Sequence, residues 1–427
     1  MMPIRLLSRL LPRALPSALV HAVSSAAHAA PIHARWLAAA IGTSLLMSAC
    51  GGGPPKARVE DQQQQRDFAS RGYVGAAESV AVQTLPLRLR NDFYRLSLTS
   101  GGGSAARPVV LYLPGLGESE HAGHAWRNAW AAAGYAVLAV QPLEDDATAW
   151  GSELARAAEF TQLGRRHFAE AELRRRVARL DELLGEVQRL GRAGEAPWRS
   201  LDWSRAALAG FDLGAQTAMT IAGESLSDGT RLSLTSWTPR AVIVISPQVM
   251  SAPQPAHYQS IAMPVLGITG DHDDDLLGLV PQTRWRSAPF DAVPADRSWL
   301  LRVDAVRHAP LSGTEGPPTP EKTEGQQRRS SGESGGGGGG RRRGGGGGMG
   351  GMGGGPQGVP GRMAPVPDVP DYRGLHQQQL ALIAARQVSV AFLDLQLKQS
   401  AQARDWLAGP ANVWMGQSGR LSAAALR

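Results

Sequence analysis

Gly210, Phe211, Asp212, Leu213 and Gly214 form a G-x-D-x-G pentapeptide where a short aliphatic run, 206–209, gives way to a helical pattern at 215–222. Small residues on both sides of the central one permit a tight strand-to-helix turn. Such a turn lifts the central side chain above a sheet at a helix N-terminus, where the N–H of Leu213 can face a developing oxyanion. The usual occupant of that position is a nucleophilic serine, and here it is Asp212. Taken alone, an aspartate there also serves as a helix N-cap. Two later segments add to it. The run 265–269 ends in Gly270, Asp271, His272, Asp273, Asp274 and Asp275, an acidic loop at the carboxyl end of a strand, where α/β enzymes keep catalytic groups. The run 299–303 is followed by Asp304, Ala305, Val306, Arg307 and His308. A nucleophile position at 212, an acid at 273 and a histidine at 308 make a set able to attack, activate water and orient the base. Upstream, Leu113, Pro114, Gly115, Leu116 and Gly117 follow another strand, and the N–H of Leu116 is the candidate second oxyanion donor.

The elements that must position these groups are short aliphatic strands alternating with helices, the pattern of an α/β domain with a mostly parallel sheet flanked by helices. Strands are expected at 109–113, 136–140, 206–209, 241–245, 265–269 and 299–303. Five of the six are dominated by aliphatic residues, as strands covered on both faces should be. Helices are expected at 125–133, at 176–190 with Val177, Leu180, Leu184 and Val187 at helical spacing, at 215–222, and at 375–397 with Leu380, Ile383, Val388, Phe392 and Leu395.

With its candidate groups in the order 212, 273, 308, the sequence resembles the α/β-hydrolases of the dienelactone hydrolase and platelet-activating-factor acetylhydrolase-like type. The resemblance covers most of 80–313 and resumes at 367–408. It rests on PVVLYLPGLGESE, ALAGFDLGAQTAMTIAGE, MPVLGITGDHDDD, APFDAVPADRSWLLRVDAVRHAPLSG and the terminal AFLDLQL and ARDWL segments. It implies an α/β-hydrolase fold without a separate cap domain and places Asp212 at the nucleophile, Asp273 at the acid with Asp274 as understudy, and His308 at the base. Two departures matter: Pro114 stands where the family has a histidine, and Asp212 where it has a serine.

Those departures change the chemistry. A carboxylate attacking an ester would give an anhydride, whereas attack on an sp³ carbon gives an alkyl ester that a histidine-activated water can hydrolyse. Enzymes of this fold that work so also recruit a tryptophan N–H beside the aspartate or tyrosines from a cap domain. Position 213 is leucine, and 246–264 leaves no room for a cap. Two readings follow: a hydrolase of esters or related small molecules with an Asp212, His308, Asp273 site, or a fold that has lost catalysis and binds a ligand. Phe211, Gln216 and His121 are candidate substrate contacts, with packing of the helix after the turn as the alternative for Phe211 and Gln216. His121 and His124, one helical turn apart, are read as surface histidines rather than metal ligands, and no metal or cofactor is implied.

Composition sets the remaining limits. The net charge of +7 comes entirely from +4 in residues 1–49 and +3 in 313–366, so the rest of the chain sums to zero and offers no basic face for nucleic acid. Residues 36–49 are uncharged, mostly apolar and preceded by arginines, and Leu46, Met47, Ser48, Ala49, Cys50 resembles a bacterial lipobox. Cys50 is the single cysteine, so an intramolecular disulfide is excluded. The expected organisation is a lipoprotein signal peptide at 1–49, lipidation at Cys50, a flexible tether at 50–79, a core at 80–312, a disordered glycine- and arginine-rich insertion at 313–366, a completing helix at 367–408 and a tail at 409–427. The expected setting is the bacterial cell envelope, with the chain held on a membrane by its lipid and facing the periplasm or exterior, acting on a small-molecule substrate.

Overall fold

The computed structural model describes residues 56–90, 92–103, 105–141, 145, 147–314 and 372–423. The expected signal peptide, Cys50 and nearly all of the 313–366 insertion lie outside them. The chain divides into two compact units, Met1–Val59 and Glu60–Arg427, and the architecture is that of the second.

A nine-stranded mixed sheet forms its centre: β1 (Val80–Leu89), β2 (Asp92–Gly101), β3 (Arg107–Leu113), β4 (Ala136–Val140), β5 (Leu201–Phe211), β6 (Ala241–Ile245), β7 (Val265–His272), β8 (Ser298–Arg307) and β9 (Gly419–Ser422). The order across the sheet is β1-β2-β4-β3-β5-β6-β7-β8-β9. Strands β3 to β8 are mutually parallel, while β1, β2 and β9 add antiparallel edges. The protein is therefore an α/β protein with a largely parallel sheet and flanking helices, as the aliphatic strand runs imply.

Both faces of the sheet are buried, and the two-residue period of the strands divides their side chains. Val110, Tyr112, Ala207, Ala209, Ile243 and Ile245 pack on one face with the helices His124–Ala132 and Tyr372–Lys398. Their sequence neighbours Val109, Leu111, Ala206, Leu208, Val242 and Val244 pack on the other with Glu170–Arg192 and Leu213–Ala222. The apolar stripe Leu173, Val177, Leu180, Leu184, Val187 explains why Glu170–Arg192 lies flat on its face. The segment Gly374–Lys398 is long and apolar enough to cross a membrane, yet 72% of its most apolar window is buried inside the protein, so its apolarity serves the core.

Three regions differ from the sequence expectations. Part of the expected tether forms the helix Lys56–Ser70, and Phe68 and Tyr73 are buried. Phe68 stacks on Trp414 with ring centroids 4.5 Å apart, and the Tyr73 hydroxyl donates to Asp394 Oδ2 at 2.9 Å. The polar glutamines that suggested a spacer are good helix formers, and two aromatics hold their flank to the core. The antiparallel β1–β2 hairpin was not expected, because the exposed side chains of β1 give it no aliphatic run. The expected tail is ordered to Ser422 as β9, where the Asn412 amide mimics a strand partner: its Nδ2 donates to Leu421 O at 2.9 Å and its Oδ1 accepts from Leu421 N at 2.8 Å.

Candidate active site

At the carboxyl end of β5 the chain turns into the helix Leu213–Ala222 through Asp212, whose φ of 50° and ψ of −107° are strained for a residue with a side chain. Such backbone costs on the order of 1–3 kcal/mol and persists only where its surroundings force it. The surroundings are visible. A Cβ at Gly210 would collide with the Gly214 carbonyl, and a Cβ at Gly214 with the Leu113 carbonyl, so only glycines let β5, β3 and the helix meet this closely. The Asp212 N–H donates to Ile245 O at 3.1 Å, and Gly214 N–H to Pro114 O at 3.1 Å, tying the turn to β6 and to the loop after β3.

That loop brings the Leu116 N–H to 3.3 Å from Asp212 Oδ2. The expected oxyanion donor thus already holds the nucleophile candidate's own carboxylate. Leu213 N is the first helical nitrogen and has no partner within its own helix. Asp212 is 5% exposed. Burial, the largest influence, pushes its carboxyl above the usual range, while His308, Arg286 and the Leu116 N–H oppose that rise.

The loops after β7 and β8 bring Asp273 and His308 together. His308 Nδ1 lies 2.8 Å from Asp273 Oδ1. With a carboxylate as acceptor, Nδ1 carries the proton and Nε2 is left as the base. Asp273 is 0% exposed and also accepts from Ser246 Oγ at 2.7 Å and Thr269 Oγ1 at 2.8 Å. Burial works to raise its pKa, but the bond to His308 and the charges of Arg286 and His308 outweigh it and hold the carboxylate below its ordinary value. Burial likewise works against a charged His308, yet the Asp273 bond and the Asp212 charge prevail and its pKa is raised.

The other candidates separate. Asp274 bonds Thr283 on the surface and does not join the pair, and Asp275 folds its own loop by accepting from Leu277 N and Val280 N. Phe211 lies against the His308 ring at a centroid distance of 5.0 Å. Gln216 faces Arg176 and Phe168 O, bracing the helix after the turn. His121 is 53% exposed and pairs with Glu120 and Thr84. Among the described residues no group of three or more His, Cys, Asp or Glu could hold a metal ion.

Several participants were not legible in sequence. Ser246 and Arg286 surround Asp273. Glu118 accepts from Gly115 N at 2.8 Å and from Thr314 Oγ1, bracing the Leu116 loop. Burial raises its pKa. The short helices Glu153–Arg156 and Phe160–His167 pack over Leu116 and Leu213 through Leu154, Leu163 and Phe168, and the Trp150 indole fills the space beside Gly117. A part-buried pair, His167 Nδ1 and Asp145 Oδ1 at 2.8 Å, fastens this cover, and the Gly117 N–H donates to Asp145 O at 2.8 Å. The one available signal was Ser246, directly after β6 at a strand's carboxyl end.

No protein-family model matches the chain, and no curated protein matches it in sequence.

Replacing Asp212 by Asn keeps the shape and the Leu116 bond but removes the buried charge. Because the folded pKa is raised, Asp212 costs stability progressively as pH rises above its unfolded value near about 4. Asp212→Asn should therefore be more stable than the wild type at pH 7, by about 1 kcal/mol or more, and the gain should shrink towards pH 4. Urea melts at both pH values measure it. A less stable variant at pH 7 would show that Asp212 is instead a structural ion-pair partner of His308.

Proposed function

We propose that the chain is a hydrolase of the α/β-hydrolase fold that works through Asp212, His308 and Asp273 on a small-molecule substrate. The strand order, and the placement of the three groups after β5, β8 and β7, support that fold. The observation that carries the reading is Asp212 itself, held in a strained turn with Oδ2 on the Leu116 N–H while the His308–Asp273 pair lies nearby at the carboxyl ends of neighbouring strands.

The arrangement suits attack on carbon. The free oxygen of Asp212 displaces a leaving group or opens a strained ring, forming an enzyme alkyl ester while the departing atom keeps the bonding pair. His308 Nε2 then takes a proton from water as its oxygen adds to the Asp212 acyl carbon. The negative charge that develops falls on the oxygen already facing Leu116 N–H, with Leu213 N–H as second donor. Collapse releases the alcohol, which takes the proton, and restores the carboxylate. Asp273 holds the imidazole in its tautomer and stabilises the imidazolium. Substrates that fit this chemistry are epoxides and alkyl halides, and no cofactor takes part.

The arginine-preceded apolar leader and Cys50 support a lipid-anchored place in the bacterial cell envelope. Cys50→Ser should abolish fatty-acid labelling and release the protein from the membrane fraction; an unmodified Cys50 inside the mature chain would rule the anchor out.

His308→Ala should trap the ester, since attack on sp³ carbon needs no base and hydrolysis does. Intact mass after exposure to a panel of epoxides, alkyl halides and short-chain esters should show an adduct that maps to Asp212. Turnover by Asp212→Ser on an acetyl ester, with neither adduct nor turnover from the native sequence, would mark a scaffold that has lost its chemistry.

A further inference from the structure

A base between two carboxylates faces an electrostatic difficulty. Asp273 and Asp212 both favour the imidazolium form of His308, and a histidine locked in that form is half of an ion pair rather than a base. Glu118, on the Leu116 loop, is coupled to both Asp212 and His308 and adds a third carboxyl to the same neighbourhood. On the cationic side, the charge that acts on all of Asp212, Asp273 and His308 is Arg286.

Arg286 belongs to the turn Thr283–Ser287 and its side chain is 0% exposed. Its Nε donates to Asp273 O at 2.9 Å and lies 3.6 Å from Asp273 Oδ2. Its Nη1 donates to Pro247 O at 2.9 Å and to Ser246 O at 3.2 Å. One guanidinium therefore cross-links the loop after β6 to the loop after β7. The cross-link holds Ser246, at a φ of 55°, with its hydroxyl on Asp273 Oδ1 and its oxygen 2.9 Å from His308 Nδ1. Arginine suits this position because its planar fork reaches several carbonyls and it stays charged when buried. Its Nη2 has no hydrogen-bond partner among the described residues, so the charge is not fully consumed by those bonds.

We propose that Arg286 is a positioning residue: its buried charge offsets Asp273, fixing that carboxylate in place and ionised, and leaves His308 able to release its proton and act as a base. The proposal rests on the reading of His308 as the base for ester hydrolysis, but its physical content is a charge balance measurable without turnover.

The groups facing His308 are Asp273 from the loop after β7, Asp212 from the turn after β5, Glu118 from the loop after β3, Arg286, and the uncharged Ser246 and Phe211. Removing the one cation from this set must shift His308 towards the protonated form. A purely structural cross-link would not do so.

The test is an NMR titration of labelled histidine, with the His308 signal assigned by its loss in His308→Ala. In Arg286→Gln, His308 should titrate at higher pH than in the wild type. In Arg286→Lys, which keeps a charge, it should stay close to the wild type. If the Asp212 ester forms, its hydrolysis in Arg286→Gln should fall by about tenfold or more at pH 7 and recover as pH rises. Should Arg286→Gln fail to fold, the comparison moves to Asp273→Asn against Asp273→Asn with Arg286→Gln, where no buried carboxylate loses its partner, and the same upward shift is expected. An unchanged His308 titration in either comparison overturns the proposal. An upward shift without any adduct on Asp212 upholds the charge balance and removes only the hydrolase reading.

Discussion

The buried carboxylate of Asp212 is the constraint on which the rest of the structure depends. It sits in backbone that disfavours any side chain, in surroundings that disfavour its charge. A fold selected only for stability would not combine the two, because each costs free energy and neither contributes to the core. Around it the chain is arranged to make both tolerable. Gly210 and Gly214 remove the atoms that would collide, Ile245 and Pro114 accept from the turn's backbone, and Leu116 N–H partly replaces the water the carboxylate has lost.

The parallel sheet is what allows so few contacts to suffice. Strands β3, β5, β6, β7 and β8 run side by side in one direction, so the loops at their carboxyl ends, distant in sequence, arrive at one edge. Each brings a different part: the Leu116 donor after β3, Asp212 after β5, Ser246 after β6, Asp273 after β7 and His308 at the end of β8. The aliphatic core beneath fixes their spacing. The acidic and basic groups then hold one another in place, with Arg286 reaching back to join two of the loops.

What could be read from the sequence follows from how local its cause is. Strands buried on both faces are aliphatic because every side chain meets protein, so β3 to β8 stand out by composition. The G-x-D-x-G turn stands out because its steric requirement is met by neighbours in the chain. Asp273, Asp274 and Asp275 are alike in composition, so only the family resemblance favoured Asp273, with Asp274 as understudy; in the fold, burial beside His308 and Arg286 sets Asp273 apart. Edge strands β1 and β9 were not legible, since a strand with one exposed side carries a weak pattern and β9 depends on the Asn412 amide. Arg286 and the His167–Asp145 pair carry no local signature at all, because what defines each is a contact made across the fold. Gln216 could be read from its place after the turn either as a pocket residue or as packing for the helix, and its bonds to Arg176 and Phe168 O make it a brace for that helix.

On the proposed mechanism, solvent oxygen should pass through the Asp212 carboxylate. A single turnover in ¹⁸O-labelled water with enzyme in excess over an epoxide or alkyl halide, followed by mass spectrometry of the peptide containing Asp212, measures this directly. Attack by the carboxylate followed by hydrolysis at its acyl carbon predicts that the label enters Asp212 and that the first alcohol released carries unlabelled oxygen from the protein. Label found only in the product, with Asp212 unlabelled, would mean that water attacks the substrate itself and would contradict the account.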